Sequence, residues 1–113
     1  MKHTNIFTNL AYNPHKAVIS VLMETEASKE IRIVMASETV MKEHSTPYPI
    51  IIEIVEGSIA FGVEGKVHNL IKGDMLALDG KIRHDLKALS NSIVRLTLVK
   101  EDSTKRVVDV IEI

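Results

Sequence analysis

The sequence predicts an all-β protein, built as an antiparallel double-sheet β-barrel. Apolar residues alternate with a period of two through the middle of the chain, and Gly-centred turns punctuate them at short intervals. No long window carries the 3.6-residue period of an amphipathic helix, so little helix is expected. The organising stretch is residues 50–84, IIIEIVEGSIAFGVEGKVHNLIKGDMLALDGKIRH, which reads as a meander of hairpins.

The N-terminal residues 1–16 carry Asn5, Asn9, Asn13 and Pro14 among scattered apolar residues, which suits an irregular arm. Residues 17–23 are apolar apart from Ser20, the pattern of a strand buried on both faces. After a polar turn, Ile31, Ile33 and Met35 alternate with Glu30, Arg32 and Val34, giving a strand with one buried face. A break at residues 37–39 precedes a strand ending at His44.

In the meander, Ile50, Ile52 and Ile54 share one face, and Gly57 stands where the chain reverses. Ile59, Phe61 and Val63 alternate with Ser58, Ala60 and Gly62. Glu64-Gly65 reads as a tight hairpin turn, because glycine accepts the positive φ such a turn requires. Strands at 67–71 and 75–78 follow, separated by Gly73-Asp74 and ended by Asp79-Gly80. His84, Leu86 and Ala88 lie on one face of the next strand. After the turn at Ser90-Asn91, a last barrel strand places Val94, Leu96 and Leu98 inward. Residues 101–105 are charged and solvated, and 107–113 are apolar again, as a strand or a short helix. The core is therefore expected at Ile50, Ile52, Ile54, Ile59, Phe61, Val63, Leu70, Leu76, Leu86, Leu96 and Leu98.

At 113 residues the chain makes one domain, residues 1–113, divided into an arm (1–16), a barrel (17–100) and a C-terminal segment (101–113). The composition is that of an ordinary globular protein, with 45% hydrophobic and 26% charged residues. A formal net charge of −1 leaves no electrostatic footprint for nucleic acid or for an anionic membrane. No apolar run approaches the ~20 residues of a membrane-spanning helix, and the polar start lacks a signal-peptide pattern, so the cytoplasm is the expected location. With no Cys, disulfides, thiolate metal ligands and Cys nucleophiles are excluded. Two Tyr, two Phe and no Trp argue against a surface that stacks sugars or bases.

The order and spacing of His44, IVEG at 54–57, VEGK at 63–66, KGD at 72–74 and His84 resemble the two motifs of the cupin superfamily. More narrowly, EHSTPYPIIIEIVEG with HDLKALSNSIVRLTL resembles small single-domain bacterial cupins with degenerate metal motifs. The resemblance implies a cupin, or jelly-roll-like, barrel. It also implies a metal site: two His separated by one residue, a Glu shortly after, and a further His from the second motif. Here His44 matches the first His and His84 the last, while Thr46 stands at the second His position and Ile50 at the Glu position. Asp79 and Lys81 replace the usual Pro and Gly before the last His, and Ala88 the Asn after it.

His44 and His84 are thus the residues through which a divalent transition metal would be held, with Glu43, His68, His3 and His15 the candidates for a third ligand. Without a metal, two imidazoles converging in an apolar barrel make a polar anchor for a small-molecule ligand. Thr46 and Ile50 would face that cavity. Tyr48, stiffened by Pro47 and Pro49, would stand at its mouth. Either histidine also reads as an interior side chain hydrogen-bonded to its surroundings. His68 shares a face with Leu70 and reads as structural, and Arg32, Arg83 and Arg95 as solvated or interface residues.

Three functions remain open: a metal-independent small-molecule-binding module; a metal-dependent enzyme of oxygenase, isomerase or hydrolase type with an incomplete ligand set; and a purely structural barrel. Two imidazoles close together in an apolar pocket disfavour their charged forms, so at least one is expected to be neutral at pH 7. A homodimer is expected too, because Ile51 and Val55 lie opposite the core face of their strand, and residues 17–23 or 107–113 could be exchanged between copies.

Overall fold

A computed structural model describes residues 1–100 of the chain. The expected segment at 107–113 lies outside the described residues. Nine strands form two antiparallel sheets, and no helix occurs among the described residues. They are β1 (Val18–Glu24), β2 (Ser28–Met35), β3 (Val40–His44), β4 (Ile50–Glu56), β5 (Ser58–Val63), β6 (Lys66–Ile71), β7 (Met75–Leu78), β8 (His84–Ala88) and β9 (Ser92–Val99). One sheet runs β1-β2-β9-β4-β7 and the other β3-β8-β5-β6.

The period-two alternation does what it predicted. Ile50, Ile52 and Ile54 of β4, Ile59 and Phe61 of β5 and Leu86 of β8 are buried between the sheets together with Ile33, Met35, Ala88 and Val94. The β5–β6 hairpin turns at Glu64 and Gly65, whose φ values of 52° and 77° are both positive, as a two-residue turn matched to strand twist requires. Val63, Leu70, Leu76, Leu96 and Leu98 are only half-buried, packed against the core from its margin. For Leu70 and Leu76 the reason is topological: β6 and β7 are the edge strands of their sheets.

Two expectations are corrected. Residues 17–23 do not form a strand buried on both faces: β1 is an edge strand, and Ile19 and Val21 are each 56% exposed. Their register partners Ile33 and Ile31 place them on the inner side of the five-stranded sheet, but the facing sheet has four strands and does not cover them. Arg32, expected to be solvated or at an interface, is 8% exposed. Its guanidinium donates to the carbonyls of Ile6 (2.8 Å) and Thr8 (2.7 Å) and, at 3.4 Å, of Asn9, so the N-terminal arm folds back over the outer face of β2. Arg83 and Arg95 are ion-paired: Arg83 with Glu43 in the open, and Arg95 between Glu30 and Glu53 on the half-buried outer face.

Candidate functional site

His44 ends β3 and His84 begins β8, and the two are register partners across that antiparallel pair. Residues directly opposite each other point to the same side, so the rings meet: their centroids are 4.4 Å apart in an edge-on arrangement. His84 is 2% exposed and His44 half-buried. Phe61, from the neighbouring strand β5, also stacks on His84, with centroids 5.6 Å apart and ring planes within 18°.

The same local device sets each ring. His44 Nδ1 lies 2.7 Å from the carbonyl oxygen of Lys42, and His84 Nδ1 lies 3.0 Å from that of Ile82. A carbonyl only accepts, so both Nδ1 atoms carry hydrogen, and the neutral form of each ring has its lone pair at Nε2. Ser20 Oγ and Arg32 Nε are the fully buried side-chain nitrogen and oxygen atoms without a partner among the described residues. His84 Nε2 has no partner among the described residues and is not one of these fully buried atoms, so it keeps some exposure. Burial, and secondarily the nearby charge of His44, hold His84 below the ordinary imidazole range, against the opposing pull of the Ile82 carbonyl and Asp85. His84 is therefore neutral at pH 7, an acceptor at Nε2.

The other anticipated site residues are placed as follows. Ile50 is buried in the core at the start of β4. Thr46 is half-buried, but its hydroxyl donates to the carbonyl of Tyr48 (2.8 Å), which ties the loop rather than aiming the hydroxyl at a ligand. Tyr48 is half-buried in that loop. The loop is clasped to the one before β8: Lys81 N donates to the Thr46 carbonyl at 2.6 Å, and a Cβ on Gly80 would stand 2.4 Å from the Pro47 carbonyl oxygen. Only glycine allows so close an approach, and it brings the end of β3 and the start of β8 together.

An apolar cavity of about 300 Å³ lies one strand away from the pair, lined by Phe61, Val63, Leu70, Leu76 and Leu78 with His68. Val63 is the register partner of His84, and Phe61 stacks on it, so these two residues separate pair and cavity. His68, read from sequence as structural, faces this cavity because it pairs with Phe61 across β5 and β6. Its step of two from Leu70 was the available signal. Phe61's contact with His84 had none, since no sequence spacing shows which strand lies beside β8.

Among the described residues no group of three His, Asp or Glu side chains could hold a metal. Glu43 is committed to Arg83, His68 stands across the cavity, and His3 and His15 lie exposed in the arm. Nδ1 bonded to a backbone carbonyl is how metal-ligating histidines are oriented, but two nitrogens fall short of the three protein ligands of an open site.

No protein-family model matches the sequence, and no curated protein matches it. Solved structures do. An RmlC-like cupin from Desulfovibrio desulfuricans superposes with a TM-score of 0.80 at 20% identity, over 88% of this chain and 96% of that one. The chain has the cupin fold. A protein of unknown function from Streptococcus pyogenes matches this cupin barrel with a TM-score of 0.76 at 15% identity, over 90% of each chain. A protein from Ralstonia eutropha described as a putative mannose-6-phosphate isomerase gives 0.75 at 18% identity, over 88% of this chain and 99% of that one. At such identities the likeness concerns the barrel alone, and the descriptions of these three structures share no common activity.

Proposed function

We propose that this cupin barrel is a small-molecule-binding module in which His44 and His84 anchor the ligand's polar group beside an apolar cavity. The observation that carries the reading is the paired tautomer lock: both Nδ1 atoms are held by backbone carbonyls, so two imidazoles 4.4 Å apart offer Nε2 together. A histidine kept only for packing needs no such duplication. Native mass spectrometry of protein incubated with a cell extract tests it. A retained small molecule should be lost in His44→Ala and in His84→Ala, while circular dichroism stays unchanged. Retention by both variants overturns the proposal, as does unfolding of both when His3→Ala and His15→Ala stay folded.

The same lock suits a metal, which favours one alternative, a metal-dependent cupin enzyme of oxygenase, isomerase or hydrolase type whose ligand set is completed by substrate or by a partner chain. Elemental analysis of protein purified without chelators or a nickel column separates the two, since a stoichiometric transition metal lost in His84→Ala belongs to the enzyme. The module is further proposed to act as a homodimer. Ile19 and Val21, exposed on an edge strand, and Ile51 on the outer face of β4 are the apolar surfaces a second copy would cover.

A further inference from the structure

We infer that the cavity between β6 and β7 takes an uncharged, largely apolar molecule of about one ring, with a single hydrogen-bonding group that meets His68. Among the described residues β6 and β7 are edge strands of opposite sheets and share no ladder, so no backbone pairing of those residues closes the barrel between them. The cavity opens there. Phe61, Val63, Leu70, Leu76, Ala77 and Leu78 form its wall, and His68 is the one titratable side chain among the described residues that line it. At about 300 Å³ it sits at the bottom of the ~300–1,000 Å³ range of ligand sites, which limits the occupant to a small body.

The absence of Lys, Arg, Asp and Glu among the described residues of that lining decides the charge class. An anion or a cation entering it would lose its hydration with no opposite charge to meet, whereas a hydroxyl needs one partner only. His68 is exposed at the rim, so it supplies that partner where the cavity meets solvent. The inner end of the ligand then rests on Phe61, which also stacks on His84. Occupancy is thereby felt at the histidine pair.

This class assignment rests on the reading of the barrel as a small-molecule-binding module, though not on the histidine pair as its anchor, and it is tested apart from the pair because methyl resonances report the cavity and imidazole resonances the pair. Phenol, benzoate and benzylamine present one ring as a neutral molecule, an anion and a cation at pH 8. Titrated into methyl-labelled protein, phenol should shift the Val63, Leu70, Leu76 and Leu78 methyl groups saturably, with an affinity at least about tenfold above that of either ion. His68→Ala should weaken phenol about three- to tenfold and leave toluene unchanged, as loss of one hydrogen bond requires. Leu70→Trp should fill the cavity and abolish the shifts; if that variant does not fold, the three-probe comparison in the unaltered protein decides. Ions that bind as well as phenol, or no saturable methyl shift with any probe, overturn the inference. Methyl shifts that persist in His84→Ala sustain it while removing the pair as the anchor.

Discussion

Replacing Phe61 by Ala tests the link between core, cavity and histidine pair in a single variant. Phe61 is fully buried, belongs to the main core cluster and stacks on His84 at 5.6 Å. Truncating such a side chain removes transfer free energy and leaves a void, together about 3–5 kcal/mol. The stacking geometry supplies ~0.5–1.5 kcal/mol of that beyond the buried area. With a urea dependence of ~1–3 kcal/mol per molar, the unfolding midpoint should fall by roughly 2 M, a large part of a ~5–15 kcal/mol domain stability. The variant should also open the cavity onto His84. Since burial is the main force holding that imidazole low, its titration should move back up toward the ordinary range. Chemical denaturation and proton NMR of the imidazole resonances read the two effects. A stability loss under about 1 kcal/mol, or a His84 titration that stays where it was, refutes the claim that Phe61 is both core and partition.

The pH dependence of stability follows from His84. Its folded form resists protonation, so the unfolded chain takes up the proton first: its contribution is complete above the unfolded value of ~6.5 and is lost as pH falls through that value toward the lower folded one. Urea midpoints at pH 7.5 and 5.5 should differ in the unaltered protein and differ less in His84→Gln; an equal difference in both removes His84 as the source. Glu30 is also held low, since bonds from Thr97 and Ser28 and the charge of Arg95 outweigh burial, so its contribution disappears only in more acid solution, as pH falls through its depressed folded value. Arg32→Met should release the arm, costing about 1–3 kcal/mol and raising amide exchange through residues 6–9; unchanged exchange there means that the carbonyl contacts do not hold it. In Ile19→Lys with Val21→Lys, sedimentation should report a monomer at concentrations where the unaltered chain is a dimer, and a monomeric unaltered chain dismisses the pairing.

Alternation and turn chemistry determined much of this protein by themselves. A period of two says which side of a strand is apolar, and Glu64-Gly65 says where a hairpin closes, so β4, β5 and the turn after them could be read directly. The convergence of His44 and His84 was legible through the resemblance to the two cupin motifs. What alternation cannot carry is how far the opposite sheet extends. The chain of apolar residues at 17–23 is fully compatible with burial, and only the mismatch of five strands against four leaves Ile19 and Val21 uncovered. Likewise Arg32 has the local pattern of a solvated side chain, and its burial depends on an arm more than twenty residues earlier in the chain. Phe61 was read as buried and His68 as a structural residue on the face of Leu70, yet what they face was decided by strand order: β8 beside β5 puts His84 against Phe61, and edges of β6 and β7 that are unpaired among the described residues leave a cavity at His68. Side-chain direction is a property of one strand, whereas a site is a property of strands brought together by the closed barrel.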